Sequence, residues 1–122
     1  MRVKIDRADK AFSEFIRRRD TKCVRCHKLG SGKWRITGLQ CSHFYGRSKE
    51  SVRFDEVNAD CLCFGCHQYW GSTDREAYRE FKLKQLGKKG FELLMLRANT
   101  YQKRDRKLAY IYWAERLKRE FL

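Results

Sequence analysis

Two pairs of cysteines, each spaced as Cys-x-x-Cys, carry the clearest chemistry in the 122-residue sequence. The first pair is Cys23 and Cys26, the second is Cys63 and Cys66, and 36 residues lie between the pairs. A tight turn lets each pair present two thiolates, and two such pairs form the four-sulfur tetrahedral site typical of structural zinc. The spacing therefore predicts one structural zinc ion.

Two further cysteines, Cys41 and Cys61, fall outside these pairs. They are either buried free thiols or, for one of them, a substitute ligand in the zinc shell. No secretory signal and no apolar run of membrane-spanning length is visible in the sequence. We therefore expect a cytoplasmic protein without a membrane partner, in which cysteines stay reduced and bind metal.

The segments around the cysteines have helical patterns. Residues 6–20 place apolar residues at helical spacing and predict an N-terminal helix. After residue 71, a Thr73-x-x-Glu76 capping box predicts a helix that Gly87 terminates, followed by a shorter helix from Gly90. A last helix is predicted from about Lys103 to the end, with apolar side chains on one stripe.

Between these helices, residues 21–71 are rich in cysteine, glycine and aromatic residues, with short alternating stretches such as 33–37. This pattern predicts a small hairpin-containing module that the zinc ion holds together. The sequence thus predicts one domain over 1–122, with an N-terminal helix (6–20), a zinc-stapled module (21–71) and a helical tail (72–122).

The charge of the chain points to a polyanionic partner. Lys and Arg number 29 against 15 Asp and Glu, which gives a formal net charge of +14. A surface of this charge attracts phosphate backbones, so nucleic acid is the expected partner.

One stretch, CSHFYGRSKESVRFDEVNADCLCFGCHQYWG (41–71), places a histidine, an asparagine and a second histidine between and beside the cysteine pairs. This arrangement resembles the phage NinG (Rap) recombination nucleases of the HNH superfamily. The resemblance implies an α+β fold, in which a small ββα-metal module with a structural zinc is flanked by the N-terminal helix and the helical tail. It also implies a phage origin, and hence the host-cell cytoplasm.

The resemblance assigns roles to three residues. His43 would be the general base that activates the attacking water, a task that suits imidazole because its pKa lies near neutral pH. Asn58 would fix the loop and orient His43. His67 would hold a catalytic Mg²⁺ or Mn²⁺ ion. From the residues alone, His43 also fits a packed strand histidine or a further candidate ligand for the zinc ion.

The sequence departs from the HNH pattern at Ser42, where many members carry a metal-binding aspartate. Asp60 is the candidate to supply that carboxylate, and Gln40 and Cys41 are weaker candidates. Arg47 and Arg53 flank the loop between His43 and Asn58, where a phosphodiester would approach, and are predicted to bind DNA.

These observations favour a metal-dependent HNH endonuclease that nicks duplex DNA or cuts branched recombination-type DNA. The alternative is a zinc-stapled DNA-binding protein without catalysis, which Ser42 favours. An RNA-directed nuclease is a third hypothesis. The oligomeric state stays open, with a homodimer as one expectation.

Overall fold

The structure, a computed structural model, describes residues 4–121. Four helices and two strands follow one another along the chain: α1 (Arg7–Asp20), β1 (Leu39–His43), β2 (Ala59–Cys63), α2 (Phe64–Gln68), α3 (Arg75–Asn99) and α4 (Arg106–Phe121). A single π-helical turn, Tyr69–Thr73, joins α2 to α3. Across residues 4–121, none of the helices has the length and apolar character needed to cross a membrane.

The first helix forms where the sequence predicts it. Asp6 caps α1 by accepting hydrogen bonds from the backbone N–H groups of Ala8 (2.9 Å) and Asp9 (3.1 Å). Asp9 returns the contact by accepting from the Asp6 N–H (2.9 Å), which completes a capping box. The predicted apolar stripe of α1 is buried, including Phe12 and Phe15.

The two strands form an antiparallel sheet in which Leu39 lies opposite Cys63 and His43 opposite Ala59. Because residues directly opposite each other project to the same face, His43 shares a face with Ala59, while Ser42 shares the other face with Asp60. Helices α1 and α4 cover the His43 face, and α3 covers the Ser42 face. The sheet is thus the middle layer of three.

An aromatic cluster joins α1 to α4. The ring centroid of Trp113 lies 4.9 Å from those of both Phe12 and Phe15, and Phe121 lies 5.6 Å from Phe15. The predicted stripe of α4 contributes to this packing, but Trp113 is its fully buried member and Ile111 is exposed. The sequence periodicity therefore predicted the helix, but it did not predict which residue of the helix is most buried.

Two helix boundaries differ from the expectation because aspartates cap them. Asp74 accepts from the Ala77 N–H (3.0 Å) and starts α3, so the predicted Thr73 capping box is wrong by one residue. Asp105 likewise accepts from the N–H groups of Lys107 and Leu108 and starts α4 after the predicted position. Gly87, with a φ of 76°, breaks α3 where termination was predicted.

The alternating stretch 33–37 forms one side of a short hairpin and no regular strand. Gly32–Arg35 is a turn, closed by a hydrogen bond from Arg35 N–H to Gly32 C=O (3.1 Å), and Ser31 and Thr37 form only an isolated bridge. We call residues 30–37 the Trp34 hairpin. Gly30 pairs with Arg35 across it, at a distance that leaves no room for a side chain.

A Gly30→Ala substitution should therefore destabilise the protein by about 1–3 kcal/mol, because the added Cβ would lie 2.7 Å from the Thr37 carbonyl oxygen. Gly46→Ala is the matched control, since nothing lies within 4 Å of its added Cβ, and should cost less than about 0.5 kcal/mol. Urea unfolding of the two zinc-loaded variants measures both values. Equal costs would contradict the tight pairing across the hairpin.

Candidate functional site

The four predicted cysteines lie together at one end of the sheet. The Sγ atoms of Cys23, Cys26, Cys63 and Cys66 all fall within 4.8 Å of one another, and those of Cys26 and Cys63 are 3.7 Å apart. A tetrahedral zinc ion with Zn–S bonds of about 2.3 Å requires sulfurs about 3.8 Å apart. The donor set and the spacing therefore fit one structural zinc ion, as the sequence predicts.

The turns around the cysteines are built to hold thiolates. The N–H of Cys26 lies 3.5 Å from Cys23 Sγ, and the N–H of Cys66 lies 3.5 Å from Cys63 Sγ. Burial raises the pKa of Cys23, but backbone N–H groups outweigh it and lower that pKa to about 7. Burial raises the pKa of Cys66 to about 12. A bound cation is thus needed to ionise the Cys66 thiol at neutral pH.

Cys41 and Cys61 lie outside this cluster. They face each other across the two strands, and burial raises the pKa of each thiol to about 12. Cys41 packs in the apolar cluster with Phe12 and Trp113. Both residues are therefore buried protonated thiols, and the alternative in which one of them enters the zinc shell is wrong for this structure.

His43 lies at the end of β1 with its ring 5.7 Å from that of Phe12. Its Nε2 is 2.9 Å from the carbonyl oxygen of Arg53. A carbonyl only accepts, so Nε2 carries the proton and Nδ1 holds a free lone pair. Nδ1 is buried and has no hydrogen-bond partner within residues 4–121. Burial, reinforced by the charge of Arg47, lowers the pKa of His43 to about 4, so the imidazole is neutral at pH 7.

Asn58 is fully buried and holds the loop that follows His43. Its Oδ1 accepts from the Tyr45 N–H (2.9 Å), and its Nδ2 donates to the carbonyls of Tyr45 (3.0 Å) and Val52 (3.1 Å). All of its side-chain bonds therefore go to the backbone of this loop. Asn58 is linked to His43 only through the backbone. The backbone carbonyl of Asn58 accepts a hydrogen bond from the N–H of Phe44, the residue after His43 (2.8 Å).

His67 lies on α2, immediately after the fourth cysteine. Its Nδ1 is 2.5 Å from the amide oxygen of Gln40. Because that oxygen only accepts, Nδ1 is the donor and Nε2 keeps a lone pair. This is the arrangement of a metal-binding histidine, whose second nitrogen is usually held by a neighbour. Burial and the charge of Arg47 lower the pKa of His67 as well.

Arg47 is the common neighbour of the two histidines. Its positive charge lowers the pKa of both His43 and His67, and its Nε lies 3.8 Å from Asp9 Oδ1. About 29% of its side chain is exposed, although its Nε is buried without a hydrogen-bond partner among residues 4–121. Three of the predicted residues thus lie in one region, in which the charge of Arg47 acts on both imidazoles.

Arg53 does not lie where the sequence predicts. It is 1% exposed, and it donates from Nε and Nη2 to the two carboxylate oxygens of Asp9 (2.8 and 2.6 Å). Its Nη2 also donates to the carbonyl of Lys4 (2.7 Å), and its Nη1 lies 3.6 Å from a carboxylate oxygen of Glu50. A phosphate cannot reach this guanidinium. Arg53 instead fixes the loop whose carbonyl holds His43.

Asp60 is likewise placed differently. It is fully buried on the face of the sheet opposite His43, and Lys82 of α3 lies 2.9 Å from its Oδ2. Tyr78 and Gln85 donate to its two oxygens (2.9 and 3.2 Å). Its carboxylate is therefore neutralised by an ammonium group, and the expectation that it binds a catalytic ion does not fit this structure.

Ser42 adds no ligand, because its Oγ lies 3.1 Å from the Tyr78 hydroxyl in the same buried network. Over residues 4–121, the cysteine cluster is the one group of three or more histidine, cysteine or acidic ligands gathered closely enough to hold an ion. A second ion would thus find one preformed side-chain ligand here, His67.

Two residues of this region escaped the sequence analysis, Asp9 and Lys82. Each sits in a helix with ordinary surface composition, and its partner lies far away in the chain, at Arg53 and Asp60. The one available signal is that Asp9 belongs to the capping box of α1. Nothing in the local sequence indicates that Lys82 is buried.

The fold and the cysteine cluster define a small α+β protein with a four-cysteine metal site. The family model described as "Bacteriophage Lambda NinG protein" matches residues 2–118, so the chain belongs to this phage family. No curated protein and no solved structure matches the chain.

The zinc site predicts a contrast between two cysteines. Cys26→Ala should lower zinc content well below one ion per chain, because it removes one of the four clustered sulfurs. Cys41→Ala should keep a full equivalent of zinc, although it removes a buried side chain. Elemental analysis after dialysis measures both. Zinc loss in Cys41→Ala alone would show that the ligand set is wrong.

The buried ion pair predicts a large cost for Lys82→Met. The substitution leaves Asp60 buried without its counter-charge, so the free energy of unfolding should fall by about 3–5 kcal/mol. Lys84→Met is the matched control, because Lys84 is exposed on the same helix, and should change stability by less than about 0.5 kcal/mol. Similar values for the two variants would contradict the buried pair.

Proposed function

We propose that this protein is a metal-dependent DNA endonuclease of the HNH type, with His43 as the general base. The observation that carries the proposal is the hydrogen bond from His43 Nε2 to the Arg53 carbonyl (2.9 Å). It fixes the tautomer in which Nδ1 is the proton acceptor. A positioned, neutral imidazole is the group that phosphodiester hydrolysis needs to take a proton from water.

The surrounding residues support the same chemistry. The charge of Arg47 acts on both imidazoles and about 29% of its side chain is exposed, so its proposed role is to bind the oxygens of the scissile phosphate. Asn58 holds the loop that carries Arg47, and the Asp9–Arg53 pair holds the carbonyl that accepts from His43. The proposed roles of Asn58 and Arg53 are therefore to position His43 and Arg47, without contact to the substrate.

A divalent ion would be bound at the remaining nitrogen of His67. Mg²⁺ and Mn²⁺ commonly take one or two protein ligands and complete their shell with substrate phosphates and water. Such an ion, when bound, would polarise the phosphate and stabilise the leaving oxygen. Since His67 is the one preformed ligand, we propose that the ion binds together with DNA.

A second candidate is a zinc-stapled DNA-binding protein without catalysis. The Lys82–Asp60 pair favours it, because an ammonium neutralises the carboxylate expected to bind the catalytic ion. The net charge of +14 suits DNA binding equally under either proposal. The two differ in their response to metal: the binding protein gains nothing from Mg²⁺ or Mn²⁺, whereas the nuclease depends on one of them.

Plasmid nicking tests the proposal. Wild-type protein should nick supercoiled DNA in the presence of Mg²⁺ or Mn²⁺, and His43→Asn should reduce the rate at least about 100-fold, because the amide cannot accept a proton from water. His27→Asn is the matched control, since His27 is exposed and its left-handed backbone suits asparagine. It should keep the wild-type rate.

Two outcomes would contradict this proposal. Equal nicking by wild type and His43→Asn would show that His43 is not the base. No nicking by zinc-loaded wild type on supercoiled or branched DNA, with either metal, would favour the binding protein. Circular dichroism and zinc content of each variant show whether it is folded.

A further inference from the structure

The Trp34 hairpin projects a tryptophan from the tip of a tight turn. Trp34 follows Lys33 in the turn Gly32–Arg35, where Gly32 and Arg35 both adopt left-handed backbone conformations (φ 83° and 57°). Hydrogen bonds between Ser31 and Thr37 (2.9 and 3.0 Å) close the base of the hairpin. The ring therefore stands on a defined turn.

The hairpin is also anchored to the body of the protein. Ile36 is buried, and its carbonyl accepts from the guanidinium of Arg17 on α1 (3.4 Å). The guanidinium of Arg18 lies 4.3 Å from the centre of the Trp34 ring. The position of the indole is thus fixed before any partner binds, which lowers the entropy cost of an interaction there.

Trp34 stays exposed despite these contacts. Its relative exposure is 42%, whereas Trp70 and Trp113 are 5% and 4% exposed. Arg18 and Lys33 lie 4.3 and 5.3 Å from the ring centre and cover only part of it. Tryptophan is enriched at interfaces, because its ring offers a large apolar area with a polar N–H. The exposed part of the ring is therefore available to a planar partner.

The charge around the hairpin selects the chemistry of that partner. Residues 21–49 contain no Asp or Glu. The same stretch contains seven basic residues: Lys22, Arg25, Lys28, Lys33, Arg35, Arg47 and Lys49. Arg18, whose guanidinium lies over the ring, is paired with Glu14 (2.9 Å), so the charge near the ring is mixed but predominantly positive. An exposed aromatic ring in such a basic stretch matches a ligand that combines planar rings with phosphates.

We infer that Trp34 is a stacking site for an unpaired nucleobase, and that the basic residues around it bind the phosphates of the same strand. Bases inside a duplex are already stacked on both faces, so the ring would engage single-stranded or branched DNA in preference to an intact duplex. The inference rests on the proposed function for its choice of DNA, and it adds a site that selects DNA by structure.

Binding without catalysis tests this inference. Fluorescence anisotropy would compare zinc-loaded variants on labelled poly(dT) and on a blunt duplex of equal length, in buffer without Mg²⁺ or Mn²⁺. Trp34→Ala should weaken poly(dT) binding at least about five-fold and duplex binding less than two-fold. Trp34→Phe, which keeps a ring, should recover most of the loss.

Tyr101→Ala is the control, because Tyr101 is an exposed aromatic residue (85%) outside the hairpin. It should bind both DNAs as wild type does. The wild-type protein supplies a measurement that no folding defect affects: poly(dT) should quench the emission of exposed Trp34, and the duplex should leave it unchanged.

Equal weakening on both DNAs, no weakening, or no quenching at saturating poly(dT) would overturn the inference. An acidic protein that competes with poly(dT) for Trp34 more tightly than DNA would overturn it too. The outcome is separable from the nuclease proposal: a protein that binds poly(dT) through Trp34 but never nicks DNA keeps this inference and loses that one.

Discussion

The clustering of four thiolates is the constraint on which the rest of this structure depends. Cys63 is at once the last residue of β2, the N-cap of α2 and a member of the cluster. The Val24 N–H, inside the first cysteine pair, donates to the Cys61 carbonyl (2.9 Å) and joins that pair to the strand. A structural zinc bound by these four sulfurs would contribute about 10 kcal/mol or more, comparable with the whole stability of a small domain, and would couple metal binding to the folding of this region.

The site depends on a second layer of constraint, made of buried polar groups. Asp9 and Arg53 are each almost fully buried, and removing two charges from water costs about as much as their attraction returns. The main consequence of this ion pair is therefore the position of the groups it holds, and its net contribution to stability is small. It holds the backbone at Arg53, whose carbonyl fixes the proton of His43, while Asn58 holds the backbone of Tyr45 and Val52.

These two layers explain what the sequence could and could not predict. The zinc ligands and the helix α1 follow from local spacing, because a Cys-x-x-Cys turn and a helical period are set within a few residues. The partners of Arg53 and Asp60 follow from tertiary packing, at Asp9 and Lys82. Arg47 and Arg53 look equivalent in the sequence, yet the Arg53 side chain is 1% exposed and that of Arg47 is 29% exposed, although both lie near Asp9 of α1. The local sequence pattern does not indicate this difference in burial.

The Lys82–Asp60 pair also bears on how the proposed nuclease would use its ion. Asp60 and Ser42 share one face of the sheet, so this face carries the carboxylate that the resemblance to HNH proteins offered as a metal ligand. Here Lys82 Nζ lies among three oxygens, from Asp60, Val57 and Gln85 (2.9, 2.6 and 2.8 Å), and a single positive charge already satisfies them. A divalent ion would have to displace a buried ammonium to bind at this face. His67 has a free ring nitrogen, and an ion that binds there displaces no ammonium group. One protein ligand leaves the other coordination positions of the ion to phosphate and water. In the proposed nuclease, metal binding would thus depend on the DNA.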